Sequence, residues 1–297
     1  MTFFYCVYVN TSVPIKLFFF AVLMALYITS LNSGSNGNCY YVGNASEAVL
    51  IDVGLSCRET EKRMLALGLS MRTVKAIFIS HEHGDHIKGV STLANKYNLP
   101  VYITEKTARY GPRLIGHIAR TFSARQAVSI GELSILPFSK FHDAADPHSF
   151  IVSYQGINVG VLTDIGKVCK EVIHHFTLCH AVFLESNYDE AMLENGRYPI
   201  HLKNRIRGGE GHLSNKEALE LFINHRSPAL SHVLLSHLSK ENNSPEMVEE
   251  LFNRYANGTR IAIASRYQPT TVFTITADAG AQTALPLARP MQLGLFQ

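Results

Sequence analysis

Between about residue 26 and residue 276, short apolar runs rich in β-branched and aromatic residues alternate with stretches of helical spacing. The pattern predicts strands at 26–31, 48–53, 76–80, 101–104, 133–138, 150–154, 159–163, 181–185, 232–236, 260–264 and 271–275. Gly156-Ile157-Asn158 separates two of these runs and predicts a hairpin turn. Three helices announce their starts. Ser56 with Glu59 and Ser214 with Glu217 read as capping boxes, and Ser244-Pro245 places proline at a first helical position. Strands that precede helices, with hairpins between, predict mixed sheets covered by helices. No repeat of fixed period is visible.

The two ends read differently. Residues 17–28 form an apolar run behind Lys16, shorter than the roughly 20 residues a spanning helix needs. Its length fits a secretory signal, but no small-x-small cleavage site follows. Met24 is the expected start of the folded part, 24–276, with residues 1–23 an upstream extension of no structural role. After Ile275 the chain is rich in Ala, Thr, Gly and Pro, which predicts a flexible tether over 277–290. It closes on an apolar end, Met291 to Gln297.

Composition narrows the function classes. The 297 residues carry 27 Lys+Arg against 24 Asp+Glu, a net charge of +3, too mild for a protein that coats nucleic acid. A hydrophobic share of 46% excludes global disorder. Cys6, Cys39, Cys57, Cys169 and Cys179 form no C-x-x-C pair, which points to a reducing, cytoplasmic setting. The 14 histidines are the outlier.

Their placement carries the chemistry. The predicted strand at 76–80 runs directly into His81-Glu82-His83-Gly84-Asp85-His86. His81 and His83 alternate so as to converge on one cation, while Asp85 and His86, beyond the Gly84 turn, can face a second. Imidazole suits zinc, and carboxylate also accepts manganese. Ordinary surface or core histidines do not explain three imidazoles and an aspartate in one strand-end turn.

This segment matches at every position the H-x-H-x-D-H signature of the metallo-β-lactamase superfamily, which the chain resembles over about residues 27–275. The resemblance implies an α/β fold, the αββα four-layer sandwich, with a two-metal site at one edge. It also implies the remaining site residues: Asp52 in VLIDVG, His142 in FHDAADP (His148 being the weaker choice), Asp164 in VLTDIG and His237 in LSHLSKENN. His81, His83 and His142 would hold one ion of zinc or manganese and Asp85, His86 and His237 the other. Asp164 would bridge them. A shared hydroxide would then act as nucleophile between ions about 3.5–4 Å apart. Asp52 would orient a ligand histidine. Asp85, His212 and Asp52 are the candidate catalytic residues, His212 as the acid that protonates a leaving group.

Asp164 and His86 stand where many true lactamases of the family carry cysteine and arginine, which favours the phosphodiesterase and thioesterase branches. The stretch 197–215 adds Arg197, Lys203, Arg205 and Arg207 with no acid before Glu210, then Gly211-His212-Leu213-Ser214-Asn215. It reads as a basic loop, similar to the G-H-S/T motif of nucleic-acid-processing members such as tRNase Z. Ser35, Asn36, Arg197, Lys203, Arg205, Arg207, Ser214 and Asn215 are the expected substrate contacts. SLNSGSNGNCYYV, FISHEHGDHIKG, GHLSN and LSHLSKENN most resemble the YycJ-like (WalJ) subgroup, which implies a DNA exonuclease linked to replication and repair. The alternatives are an RNA-processing nuclease, a thioester or lactam hydrolase, and a non-catalytic clamp- or nucleic-acid-binding module. Gln292, Leu293, Leu295 and Phe296 resemble the bacterial sliding-clamp-binding peptide, making a replication clamp the expected protein partner.

Overall fold

The computed structural model describes residues 24–277, Ile115 excepted. The extension at 1–23, the tether from residue 278 onward and the clamp-like residues Gln292, Leu293, Leu295 and Phe296 lie outside the described residues. Among those described, no helix is long and apolar enough to cross a membrane, and Cys39, Cys57, Cys169 and Cys179 are free thiols.

One sheet is built from β1 (Ala25–Asn32), β2 (Cys39–Gly43), β3 (Ala48–Ile51), β4 (Val74–Phe78), β5 (Val101–Tyr102), β6 (Ala119–Arg120) and β14 (Phe273–Thr276). Its order is β14-β1-β2-β3-β4-β5-β6. The other is built from β7 (Val128–Ile130), β8 (Leu133–Ser139), β9 (His148–Tyr154), β10 (Ile157–Leu162), β11 (Ala181–Glu185), β12 (His232–Ser236) and β13 (Arg260–Ile263). Its order is the mirror arrangement β13-β12-β11-β10-β9-β8-β7. Each sheet is part antiparallel and part parallel. The parallel parts are β3 to β6 and β10 to β13.

The pleat explains why strands buried on both faces read as unbroken apolar runs. Val49 and Ile51 of β3 enter the space between the sheets, where they meet Val159, Ala181 and Phe183. Ala48 and Leu50 face outward onto α1 (Cys57–Ala66) and α3 (Val90–Tyr97). On the second sheet Val182, Leu184, Val233 and Leu235 pack against α5 (Lys170–Phe176), α8 (Asn215–His225) and α9 (Pro245–Asn253). Tyr40 and Phe183, one from each sheet, meet at 4.9 Å between ring centroids. The result is the expected helix–sheet–sheet–helix sandwich. Short helices α2 (Gly84–Ile87), α4 (Glu105–Tyr110), α6 (Glu190–Asn195) and α7 (Ile200–Arg207) fill connections for which the apolar pattern predicts no helix.

Several predicted strands overshoot their C-terminal ends. The runs at 48–53, 76–80 and 101–104 stop at Ile51, Phe78 and Tyr102. Val53, Ile79 and Ile103 remain buried, so hydrophobicity continues after strand pairing has ended and the chain has turned toward the sheet edge. The predicted hairpin turn also moves. Gln155 and Gly156 take φ of 48° and 81°, a two-residue turn of the type that fits strand twist, while Ile157 and Asn158 already pair in β10 with Tyr154 and Ser153. Strand β2 was not among the predicted runs.

Three loops are stapled at the edge where the parallel strands end. Asn38 N donates to Asp85 O (2.7 Å), Gly54 N to Asn38 O (2.8 Å) and Val53 N to His86 O (2.8 Å). Gly54 makes this approach feasible, because a Cβ there would lie 1.7 Å from the Asp85 carbonyl and 2.5 Å from Asn38 N. Gly54→Ala is therefore expected to cost at least about 3 kcal/mol of stability in denaturant unfolding. Gly116→Ala, where an added methyl meets nothing within 4 Å, should stay within about 0.5 kcal/mol of the unsubstituted protein.

Candidate metal centre

The parallel strands of both sheets deliver their C-terminal ends to this edge. Asp52 follows β3, His81 to His86 follow β4, Asp164 follows β10, Glu185 closes β11 and His237 follows β12. Paired register keeps them level, with Ile51 opposite Phe78, Leu162 opposite Leu184 and Glu185 opposite Ser236. Asp52, Asp164 and His237 turn the chain with left-handed φ of 60°, 54° and 57°. Side chains other than glycine hold such angles at a cost of about 1–3 kcal/mol each, where surrounding structure over-determines them. Three of the seven such non-glycine residues described lie at this one edge.

All seven residues expected as metal ligands come together. His81 Nε2 lies 3.0 Å from His83 Nδ1, which lies 3.3 Å from His142 Nε2. On the other side His237 Nε2 is 3.5 Å from Asp85 Oδ2, and His86 Nε2 is 3.6 Å from that same oxygen. Asp164 joins the two groups, with Oδ1 3.5 Å from His237 Nε2 and 4.0 Å from His142 Nε2, and Oδ2 3.4 Å from His86 Nε2. The donor set fits a divalent cation. Asp164 Oδ2 and His237 Nε2 are buried without a hydrogen-bond partner, an arrangement a fold does not sustain for its own sake. Nitrogen and carboxylate oxygen together suit a borderline metal.

The ligand rings are held from behind. His142 Nδ1–H donates to Gly211 O (2.9 Å), which leaves Nε2 facing the cluster. His86 Nδ1–H donates to Asp52 Oδ2 (2.8 Å). Asp52 itself accepts from Ser80 N (2.8 Å) and Ser80 Oγ (2.7 Å). Asp52 thus stands behind His86 rather than among the donors that face the cluster. Asn38 Nδ2 donates to Asp85 Oδ2 (3.2 Å) and lies 3.0 Å from His86 Nε2.

Electrostatics divides the cluster. Burial holds His81 well below the ordinary imidazole pKa and brings His142 down to about 4. Around His237 burial works the same way, but Asp164 outweighs it together with Asp85 and Glu185, and the pKa rises to about 10. His86 is likewise raised well above its ordinary value, because Asp164, Asp52 and Asp85 overcome its burial. Burial opposes ionisation of Asp85, yet His86 and His237 prevail and lower it to about 2.

Sequence reasoning missed two buried charges. Glu185 Oε1 accepts from His212 Nδ1–H at 2.6 Å and lies 3.3 Å from His237 Nδ1, while Oε2 accepts from Ile165 N at 2.5 Å. Burial disfavours its charge, but His212 overrides this and its pKa is lowered. Lys140 is the second: its Nζ donates to the Thr163 carbonyl at 2.5 Å, one residue before Asp164. Its burial lowers the ammonium pKa. A glutamate at the end of an apolar strand was the one signal available, since a buried carboxylate persists only with partners. His212, part-buried, stands 5.3 Å from the His142 ring and 5.0 Å from the His237 ring.

The expected substrate contacts divide. Ser35 and Asn36 are exposed, on the loop whose Ser33 Oγ accepts from His237 N at 2.7 Å. The basic stretch is not a free loop: Ile200–Arg207 is helix α7, anchored by Leu202 and Ile206 against Tyr188 and Leu193. Arg205 is bonded to Asp143, Arg207 Nη1 to Glu194 Oε2 (2.5 Å) and Lys203 Nζ to Glu194 O (2.5 Å). Arg197 is exposed with no ion pair among the described residues. Ser214 and Asn215 are corrected outright. Ser214 is fully buried as the cap of α8, and Asn215 bonds Ser186 and Asn243 inside the fold. His148, the weaker ligand choice, bonds Asp146 O and packs on Phe122 instead.

Comparison with known proteins agrees with this geometry. The sequence pattern of the metallo-beta-lactamase superfamily matches residues 33–188. The chain is 36% identical over 228 residues to exodeoxyribonuclease YycJ of Bacillus anthracis, covering 75% of this chain and 86% of that protein. It is 32% identical over 223 residues to exodeoxyribonuclease WalJ of Streptococcus pneumoniae, covering 73% and 83%. The crystal structure of the metallo-beta-lactamase fold protein YhfI from Bacillus subtilis superposes with a TM-score of 0.64 at 14% identity, over 84% of this chain and 99% of that one.

Two outcomes follow from the donor geometry. Asp52→Asn removes the acceptor behind His86, and metal affinity measured by chelator competition should fall about 10–100-fold. The neighbouring carboxylates that raise the proton affinity of His86 and His237 favour a second proton on each ring in the metal-free protein. Metal binding must displace these protons, so affinity should rise as pH increases from 6 to 8. Binding heats should differ between buffers of different ionisation enthalpy; buffer-independent heats would contradict the assignment.

Proposed function

The chain belongs to the metallo-β-lactamase superfamily, and from that premise we propose that it is a metal-dependent phosphodiesterase that degrades DNA exonucleolytically, with two zinc or manganese ions. The carrying observation is the pair of donor groups sharing Asp164. The nuclease assignment is supported by two relatives above 30% identity that bear the name exodeoxyribonuclease.

Divalent ions at this site supply Lewis-acid activation of a phosphodiester and of an attacking water. His81, His83 and His142 would hold one ion and Asp85, His86 and His237 the other, with Asp164 placed to serve both. The remaining side chains do the positioning. Asp52 and Gly211 O fix the His86 and His142 rings from behind. Lys140 holds the carbonyl that precedes Asp164. His212 is the proton donor to the departing oxygen. Glu185 accepts its Nδ1–H, so the ring's other nitrogen is the one free to hand over a proton.

The test offers purified protein with Mn²⁺ or Zn²⁺ matched 5′- and 3′-labelled DNA and RNA strands and a chromogenic lactam. A ladder from DNA that EDTA abolishes is expected. Lactam turnover without nucleic-acid cleavage would overturn the reading, and a ladder from RNA alone would reassign the substrate. His212→Ala should lower kcat at least about 100-fold with metal content intact, and Glu185→Gln should lower it in the same direction. Wild-type turnover in His212→Ala would remove the proton-donor role.

A further inference from the structure

Of the cations that sequence reasoning singled out, Arg205 and Arg207 on α7 are paired with Asp143 and Glu194 within the fold, Lys203 bonds a backbone carbonyl, and Arg197 precedes the helix. A different surface carries cations that are not so paired. Over residues 105–120 the chain has Lys106, Arg109, Arg113 and Arg120 against the single acid Glu105. All four cations are exposed, and among the described residues none forms an ion pair, in contrast to Arg205 and Arg207. Arg120 Nη1 touches only backbone carbonyls, those of His117 (2.8 Å) and Ala119 (2.9 Å). Between them Tyr110 is 72% exposed, among the most exposed large apolar side chains described.

The placement of this surface is specific. Strand β5 runs parallel to β4, with Phe78 opposite Tyr102, so α4 leaves the sheet at the edge where His81 to His86 leave it. Thr107 Oγ1 on α4 donates to Asp146 O (3.4 Å), and Ala145 N donates to Glu82 Oε1 (2.7 Å). The loop that follows His142 therefore ties α4 to the His81-Glu82-His83 turn. Beyond α4, Arg113 O accepts from Ser91 Oγ (2.9 Å), which fixes the basic segment against α3.

We propose that the α4–β6 surface, through Lys106, Arg109, Arg113 and Arg120 with Tyr110 interleaved, is the track along which a single nucleic-acid strand is held as its end enters the metal centre. The inference rests on the nuclease reading above. Unpaired cations meet backbone phosphates, and an exposed aromatic face accepts a base without sequence preference. Cations already bonded to carboxylates must exchange that partner for a phosphate, which reduces what they contribute to such binding.

The experiment uses the full chain loaded with Mn²⁺ and labelled single-stranded DNA and RNA oligonucleotides across a salt series. For Arg109→Glu/Arg113→Glu, KM should rise at least tenfold while kcat at saturation, metal content and melting temperature stay unchanged. The slope of log affinity against log salt should flatten by about 1.4, about 0.7 for each cation lost. Arg109→Gln/Arg113→Gln is the milder pair should charge reversal impair folding. Tyr110→Ala should raise KM with the salt slope preserved. Wild-type KM and slope in the arginine pair would overturn the proposal, as would a flattened slope in Arg205→Gln/Arg207→Gln instead. If the unsubstituted protein neither binds nor cuts either strand, the nuclease reading itself fails, and that is seen before any variant is made.

Discussion

Four carboxylates, from Asp52, Asp85, Asp164 and Glu185, meet at one sheet edge, and all but Asp85 are fully or almost fully buried. Buried like charges at this spacing are unstable unless positive charge is placed among them. The fold supplies part of it through the raised proton affinity of His86 and His237, rings whose Nε2 faces the cluster. Lys140 lies beside them with its Nζ bonded to the Thr163 carbonyl, although burial works against its charge. The metal-free centre is therefore charged in the pattern that a divalent cation would complete. At His81 and His142 burial instead favours the neutral ring, so these two need no exchange of proton for metal.

That concentration of charge is possible only because the rest of the molecule is insensitive to it. Left-handed turns at Asp52, Asp164 and His237 together cost several kcal/mol, about 1–3 for each. Behind them lie strands buried on both faces, packed as one layer between the sheets and one layer under each set of helices. A fully buried Phe or Leu contributes about 1.5–3 kcal/mol, so a handful of such positions offsets the strain. The stapled loops around Gly54 transmit this rigidity to the His81–His86 turn, since Asp85 and His86 are bound through their carbonyls to Asn38 and Val53.

Legibility in the sequence followed the locality of each interaction. The His81–His86 turn could be read because its donors are contiguous and follow an apolar run. His142, Asp164 and His237 were legible because each stands just past a strand, the place a sheet edge offers to a ligand, and because the family pattern says which strands to inspect. Glu185 and Lys140 were not, because their partners, His212, His237 and Thr163, lie 20 or more residues away in sequence and the residue types are common. Helix α7 had signals that the charge run obscured: Pro199 just before its first residue and Gly208 just after its last. Its arginines looked free because charge density along a chain carries no information about acids brought in by folding, here Asp143 and Glu194.

That same point governs how a polyanion would approach. A strand nearing the edge meets Asp85, part-exposed among the donors, and is repelled until cations at the site reverse the local sign. Attraction from outside the cluster must come from charges not already neutralised, and at physiological salt it acts over only about 8 Å. Arg205 is close to the site by way of Asp143, beside His142, yet that same carboxylate offsets its charge, as Glu194 does for Arg207. The helix reached through Thr107 and Asp146 carries its guanidinium and ammonium groups uncancelled. The pairing of Arg205 with Asp143 orders the loop after His142; the uncancelled charge on the proposed track is what remains to draw a strand in.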